Sequence, residues 1–276
     1  MVSEDSFDTS NQWSRPVGGI FITQGMTVGI PAGGFTIKID EKGELNADLK
    51  LHVHYDVCPV WLKLAFQHLL EAEERNKEVI AAWKTPDNNR VAQALESEFE
   101  SGMQAIMSGA IAVDAFYASV KDKISLPEEL TKSWSKNKTA RNMQIAEVMR
   151  RAFLMGESSF HQVRDHLKEI MRLRGMAVHP SGKIDEPILH PELHQGIEWR
   201  FVTFSYPNAK LVVGACLSLV AQLVLRPRNE FESLKSYCNA LEPKISSLVR
   251  LWEERFGELY ERIDESNSAI NESEQA

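Results

Sequence analysis

From Val60 onward the apolar residues recur every three to four positions, the period of one face of an α-helix, whereas up to Tyr55 they alternate with polar residues, the period of a strand. The early part opens on an apolar, glycine-punctuated run from Ile20 to Ile30. Phe35, Ile37 and Ile39 then alternate with Thr36, Lys38 and Asp40, and after a turn at Asp40-Glu41-Lys42-Gly43 the pattern resumes at Leu45, Ala47, Leu49, Leu51, Val53 and Tyr55. These residues predict a strand and a hairpin whose second strand runs unbroken to Asp56. His52 and His54 share its polar face with Lys50 and Asp56, and with no third ligand beside them they read as a solvated face, not a metal site.

The spacing predicts helices over Val60 to Trp83, Asp87 to Lys123, Thr139 to Met155, Ser158 to about Val178, Asn208 to Leu225, Glu230 to Leu241 and Lys244 to Ile263. Thr85-Pro86-Asp87, Leu126-Pro127-Glu128, Gly156 and Pro243 separate them, with Asp87 and Ser158 as N-cap residues. Between Pro180 and Pro207 the helical period breaks into Pro- and His-containing loop, and Glu198 to Phe204 (EWRFVTF) predicts one later strand. The fold class is therefore mainly α, a helical bundle with a small N-terminal antiparallel β portion. Its expected divisions are a flexible start (1–16), a β portion (17–57), a bundle (58–263) with an inserted loop (180–207), and a disordered acidic tail (264–276).

Composition narrows the function classes. An apolar fraction of 43% and a charged fraction of 25% are those of an ordinary folded chain, and 276 residues suffice for a full-sized core. The net charge of −8 excludes holding nucleic acid by bulk electrostatics, because phosphate neutralisation needs clustered Lys and Arg; a local basic face remains open. Cys58, Cys216 and Cys238 are too few and too scattered for a disulfide framework or a CxxC metal site, and fit reduced thiols in the cytoplasm. The start, Met1-Val2-Ser3-Glu4-Asp5, lacks the charge and apolar run of a secretory signal. Leu211 to Leu225, with Ser218 and Gln222 inside it, is short for a bilayer span and reads as a core helix, so no membrane partner is expected.

Familiar phosphate loops are absent, since Gly29-Ile30-Pro31-Ala32-Gly33-Gly34 has neither dinucleotide-fingerprint spacing nor a Lys-Ser/Thr ending. His190 and His194 stand four apart, but Pro191 between them opposes the helix that would align them as metal ligands. The segment Phe160 to His179 is more informative. On a helical wheel Phe160, Val163, Leu167, Ile170, Met171 and Val178 form an apolar arc, while His161, Arg164, Lys168 and Arg172 form a basic stripe elsewhere. Arg174 falls inside the apolar arc. A guanidinium directed there needs a carboxylate, for which Asp114 is favoured over Glu147 and Glu169, or it faces a cavity.

That helix ends Arg172-Leu173-Arg174-Gly175-Met176-Ala177-Val178-His179-Pro180. An Arg followed after four residues (Arg174) or six (Arg172) by a His resembles the signature of HEPN domains, and the likeness extends loosely over residues 60–262. The resemblance implies an all-helical bundle, often dimeric, and in many members a metal-independent endoribonuclease of toxin or phage-defence systems. It would make Arg174, Arg172 and His179 the working residues, with RNA as substrate, a second copy of the chain or an antitoxin as protein partner, and no cofactor. His161, Arg164 and Lys168 would then contact the RNA. In active members a polar residue, often Asn, follows the Arg, where this chain has Gly175 after Arg174 and Leu173 after Arg172.

The chemistry of such a pair stands without the family. An imidazole can give or take a proton near neutral pH, a guanidinium can hold a phosphate through two hydrogen bonds, and RNA carries its own nucleophile in the 2′-hydroxyl. On a continuous helix Arg174 and His179 diverge by about 140°. Their convergence predicts a bend, for which Gly175 and Pro180 provide the means. The other reading is a non-catalytic helical interaction or RNA/nucleotide-binding module in which Arg174 is structural, and net acidity and Gly175 favour it.

Overall fold

The computed structural model describes residues 21–22, 26–40, 42–179 and 182–259. The polar start (1–16), the acidic tail (264–276), and Tyr260 and Ile263 of the expected last helix lie outside the described residues. The chain divides into two compact units, Met1–Asp56 and Val57–Ala276.

The first unit is β. Strands β1 (Met26–Gly29) and β4 (His52–Tyr55) pair antiparallel, as do β2 (Phe35–Ile39) and β3 (Leu45–Leu49). The predicted turn forms: the Asp40 carboxylate accepts the Lys42 and Glu44 amides, and Gly43 takes φ +82°, a conformation open to glycine. The expected unbroken strand from Leu45 to Asp56 is instead two strands. It breaks at Lys50, whose amide turns to the Gly34 carbonyl at 2.6 Å, so that the second half pairs with β1 and not with β2.

The second unit is the expected helical bundle. Its helices are α1 (Cys58–Trp83), α2 (Asn88–Lys121), α3 (Glu128–Asn137), α4 (Arg141–Ala152), α5 (Glu157–Val178), α6 (Trp199–Thr203), α7 (Tyr206–Leu225) and α8 (Glu232–Phe256). Asp87 caps α2 as predicted, its carboxylate accepting the Asn89 and Arg90 amides at 3.1 Å. Helix α5 starts one residue before Ser158, with Gly156 as its N-cap and no capping side chain.

Helix α2 is the centre of the bundle: Ile106, Ala110, Val113, Phe116 and Tyr117 are buried against α1, α4, α5 and α7. Its glycines let neighbours come close. A Cβ on Gly102 would lie 1.9 Å from the Phe204 carbonyl oxygen, and one on Gly109 3.2 Å from the Cys216 sulfur of α7. Phe66, Trp252 and Phe256 join α8 to α1, and Phe116 stacks between Phe153 and Tyr237. By length and composition α2 and α7 are apolar enough to cross a membrane, and 56% and 50% of their most apolar windows are buried within the protein.

Four expectations for this unit are corrected. Helix α3 was not foreseen, because it is polar on every side but one and buries only Trp134. Glu198 to Phe204 is helical, not extended: Glu198 accepts the Arg200 amide as a cap, and Phe201 and Phe204, one turn apart, both meet Phe99 at 5.7 Å. The later strands are instead β5 (Ile188–Leu189) and β6 (Gly196–Ile197), a short antiparallel pair. Helix α8 runs straight through Pro243 and stops at Gly257 (φ +85°). Pro243 and Asn239, whose carbonyl the proline leaves without its amide partner, are both exposed, so the freed acceptor lies on the solvent side while Leu241, Ile245, Leu248 and Trp252 stay buried.

Candidate functional site

Helix α5 carries the motif, and its burial pattern decides what each residue does. Leu167, Ile170 and Leu173 are its buried residues, with Met176 and Ala177 packed against the same core. The core-facing direction is therefore rotated toward Leu173, and Arg174 lies on the edge of the apolar face with Met171 and Val178. It is half-buried, not enclosed.

Arg174 does not meet Asp114. The Asp114 carboxylate takes the Arg141 Nε at 2.7 Å, and the Arg141 guanidinium lies over the Tyr117 ring, 4.2 Å from its centroid. Glu147 is held by Arg150 and Arg151, and Glu169 by Arg172. Each of these two glutamates titrates below the usual carboxylate range, first because of the hydrogen bond from Arg150 and Arg172 respectively. All three carboxylates proposed for Arg174 are thus occupied by other arginines. Among the described residues Arg174 has no hydrogen-bond or ion-pair partner, and its Nε is sealed from solvent without an acceptor.

What Arg174 faces is a pocket of about 200 Å³ lined by Arg141, Met171, Arg174, Gly175, Val178 and His179. Arg174 and His179 both line it, without a bend at Gly175. Helix α5 passes through Gly175 unbroken, and the His179 amide still donates to the Gly175 carbonyl at 2.9 Å. The departure comes at the C-cap, where His179 takes φ −122° and ψ 72°, the extended side of backbone space that a following proline enforces. Its exposed imidazole has no hydrogen-bond partner among the described residues.

Arg172 is not part of the pocket. Its guanidinium is spent on Glu169 and on the Met176 sulfur. The basic stripe is also largely neutralised on its own helix: His161 lies 3.7 Å from Glu157, and Arg164 is paired with Asp165 at 3.0 Å. Lys168 is exposed. On α5, Lys168 and Arg174 are thus the Lys and Arg residues without an ion pair among the described residues, and Arg174 shares its pocket with Arg141.

Sequence reasoning missed Arg141, which stands 33 residues from Arg174 with no spacing to relate them. One signal was available. Arg141 opens a helix, where the macrodipole favours anions and opposes cations, and its N-cap Ala140 has no capping side chain.

His190 is fully buried and its Nδ1 accepts the Glu192 and Leu193 amides at 3.3 Å, while His194 is exposed in a left-handed conformation (φ +52°). Burial lowers the His190 pKa, which keeps the ring neutral. His52 and His54 are exposed on β4. Among the described residues no three His, Cys, Asp or Glu side chains are grouped to hold a metal ion.

The loop bearing His190 is anchored by a second polar cluster. Glu98, 1% exposed, accepts the Tyr206 amide at 2.8 Å and the Asn76 amide nitrogen at 3.1 Å, and Asn76 also donates to Glu192 at 2.7 Å. Burial raises the Glu98 pKa in spite of these hydrogen bonds. The cluster ties α1, α2 and the start of α7 to the inserted loop, and its links are structural. Compared with protein-family models, with curated proteins and with solved structures, the chain matches none.

Proposed function

We propose that the Arg141–Arg174–His179 pocket binds a phosphate of RNA, and that the chain is a HEPN-like, metal-independent endoribonuclease acting in the cytoplasm. The observation that carries this reading is Arg174, which has no partner among the described residues and whose three candidate carboxylates are all committed elsewhere. Its Nε–H is sealed from solvent without an acceptor, which an anion in the pocket would supply. No carboxylate lines the pocket, and about 200 Å³ is room for a phosphate and part of its sugar.

In the reaction, the 2′-hydroxyl of the RNA attacks the adjacent phosphorus and the bond to the 5′-oxygen of the next nucleotide breaks. The products are a 2′,3′-cyclic phosphate and a free 5′-hydroxyl. Arg174 and the terminal nitrogens of Arg141 stabilise the charge that builds on the phosphate oxygens. His179 either takes the proton from the 2′-hydroxyl or gives one to the departing oxygen. A single imidazole serves one of these roles at a time, and a second copy of the chain would supply the other.

The test is cleavage of mixed-sequence RNA in excess chelator by wild type and by His179→Ala at equal folded concentration, with analysis of the product ends. Cyclic phosphate ends from wild type alone support the proposal; cleavage surviving in the variant refutes it. A second reading, phosphate binding without cleavage, is favoured by one observation: among the described residues the His179 imidazole has no hydrogen-bond partner to orient it. It predicts RNA binding that Arg174→Met abolishes, with the RNA left intact.

A further inference from the structure

A second pocket, about 340 Å³, lies at the other end of α5, between the turn that joins α4 to α5 and the C-terminal third of α7. Phe153, Leu154, Val163, Leu219, Leu223 and Leu225 form its apolar wall, and Ser159 and Gln222 belong to its polar lining. Arg226 and Arg228, which follow α7, also line it. Both are exposed, and neither has an ion pair or hydrogen bond among the described residues. No Asp or Glu lines the pocket. On the same side Gly156 and Ser159 bring in the first turn of α5, which has no capping side chain and whose first helical bond runs from the Phe160 amide to the Gly156 carbonyl. The amides before Phe160 therefore have no partner within the helix, and they add partial positive charge to that of the two arginines.

We infer that this pocket binds an amphipathic carboxylate, its head on Arg226 and Arg228 and its apolar body between α5 and α7. Charge complementarity selects the head: two cations without counter-ions among the described residues, and no acidic wall. The walls select the body. A cavity of about 150 Å³ lined by apolar side chains holds benzene, so 340 Å³ admits roughly a dozen non-hydrogen atoms. That is the size of a medium-chain fatty acid and too small for a two-chain phospholipid. Leu154 stands at this pocket with φ +50° and half its surface exposed, as the left-handed residue that ends α4, where the Met155 amide donates to the Arg150 carbonyl at 3.1 Å.

The test uses the full chain with methyl-labelled Leu and Val and titrates decanoate, below its micelle concentration, by NMR and calorimetry. Decanol, decylammonium and acetate serve as comparators. Decanoate should bind saturably and shift the Val163, Leu219 and Leu223 methyls, with decanol and decylammonium at least about tenfold weaker and acetate not detected, since one charge-assisted hydrogen bond is worth about that factor. Arg226→Gln with Arg228→Gln should weaken decanoate at least about tenfold. Val163→Trp, which fills the pocket, should abolish its binding, and Arg174→Met should leave it unchanged, which separates this site from the proposed phosphate pocket. Equal binding of the three ten-carbon compounds, an unaffected double variant, or methyl shifts elsewhere on the protein would overturn the inference.

Discussion

Replacing Arg174 by Met tests the reading of this residue through stability alone. In an ion-paired interior, removing one partner strands the other charge and costs about 3–5 kcal/mol. Here there is nothing to strand, because Asp114, Glu147 and Glu169 keep their own arginines. What disappears instead is a sealed Nε–H without an acceptor, a group that costs about 1–3 kcal/mol to bury. The rest of the head is half-exposed, so its charge is screened and contributes little either way. The unbranched methionine keeps the stem that packs beside Met171 and Val178. The variant should therefore gain roughly 0.5–2 kcal/mol. In urea the unfolding midpoint should rise by a few tenths of a molar unit with no change in slope. RNA binding should be lost at the same time, the pattern of a site held at the expense of stability. Arg141→Met is the contrast: it breaks a part-exposed ion pair and a cation–π contact, and should cost about 1–2 kcal/mol. If Arg174→Met destabilises the protein by about 2 kcal/mol or more, Arg174 holds a carboxylate after all, and the argument for an open anion site falls.

Three further outcomes follow from the packing. Because burial raises the Glu98 pKa, the folded chain keeps a proton there at a pH where the unfolded chain has lost it; that contribution is complete below the ordinary glutamate value and is lost as pH rises through the raised one. Stability of wild type relative to Glu98→Gln should accordingly fall as pH rises through that window in urea titrations, and parallel curves would contradict this. Gly102→Ala places a Cβ 1.9 Å from the Phe204 carbonyl and should cost about 2 kcal/mol or more, read from the thermal midpoint. Burial pushes the Cys216 thiol up to about 12 and the Cys238 thiol up to about 11, so a thiol reagent at pH 7.5 should leave both unmodified in the native chain and label both in urea.

The bundle was legible in the sequence because its long helices are amphipathic and their faces are buried as the period requires, α2 through Ile106, Val113 and Tyr117 being the clearest case. Legibility failed where local pattern and packing disagree. Trp199 and Phe201 alternate with Arg200 and Val202 like a strand, yet the partner that Phe201 and Phe204 share is Phe99 on α2, which no local pattern contains. Pro243 looks like a helix end, but its cost falls on the solvent face of a helix whose other face is fully packed. The site was half legible. The anomaly of Arg174 could be read from the wheel, and its shared pocket with His179 only from the motif, since the wheel sets the two apart; the pairing of Asp114 with Arg141 could not be read, since it depends on where α4 crosses α2.

The most direct measurement of the central claim is the NMR signal of the arginine Nε–H groups during titration with a short RNA whose 2′-hydroxyls are replaced by hydrogen, which prevents cleavage. Arg174 should move saturably and in step with Arg141, at a ligand concentration that leaves Arg172 and Arg226 in place, and the shifts should vanish in high salt as phosphate contacts are screened. An Arg174 signal that stays fixed while the oligonucleotide binds elsewhere, or that is unaffected at every concentration, would contradict the assignment of this pocket to phosphate.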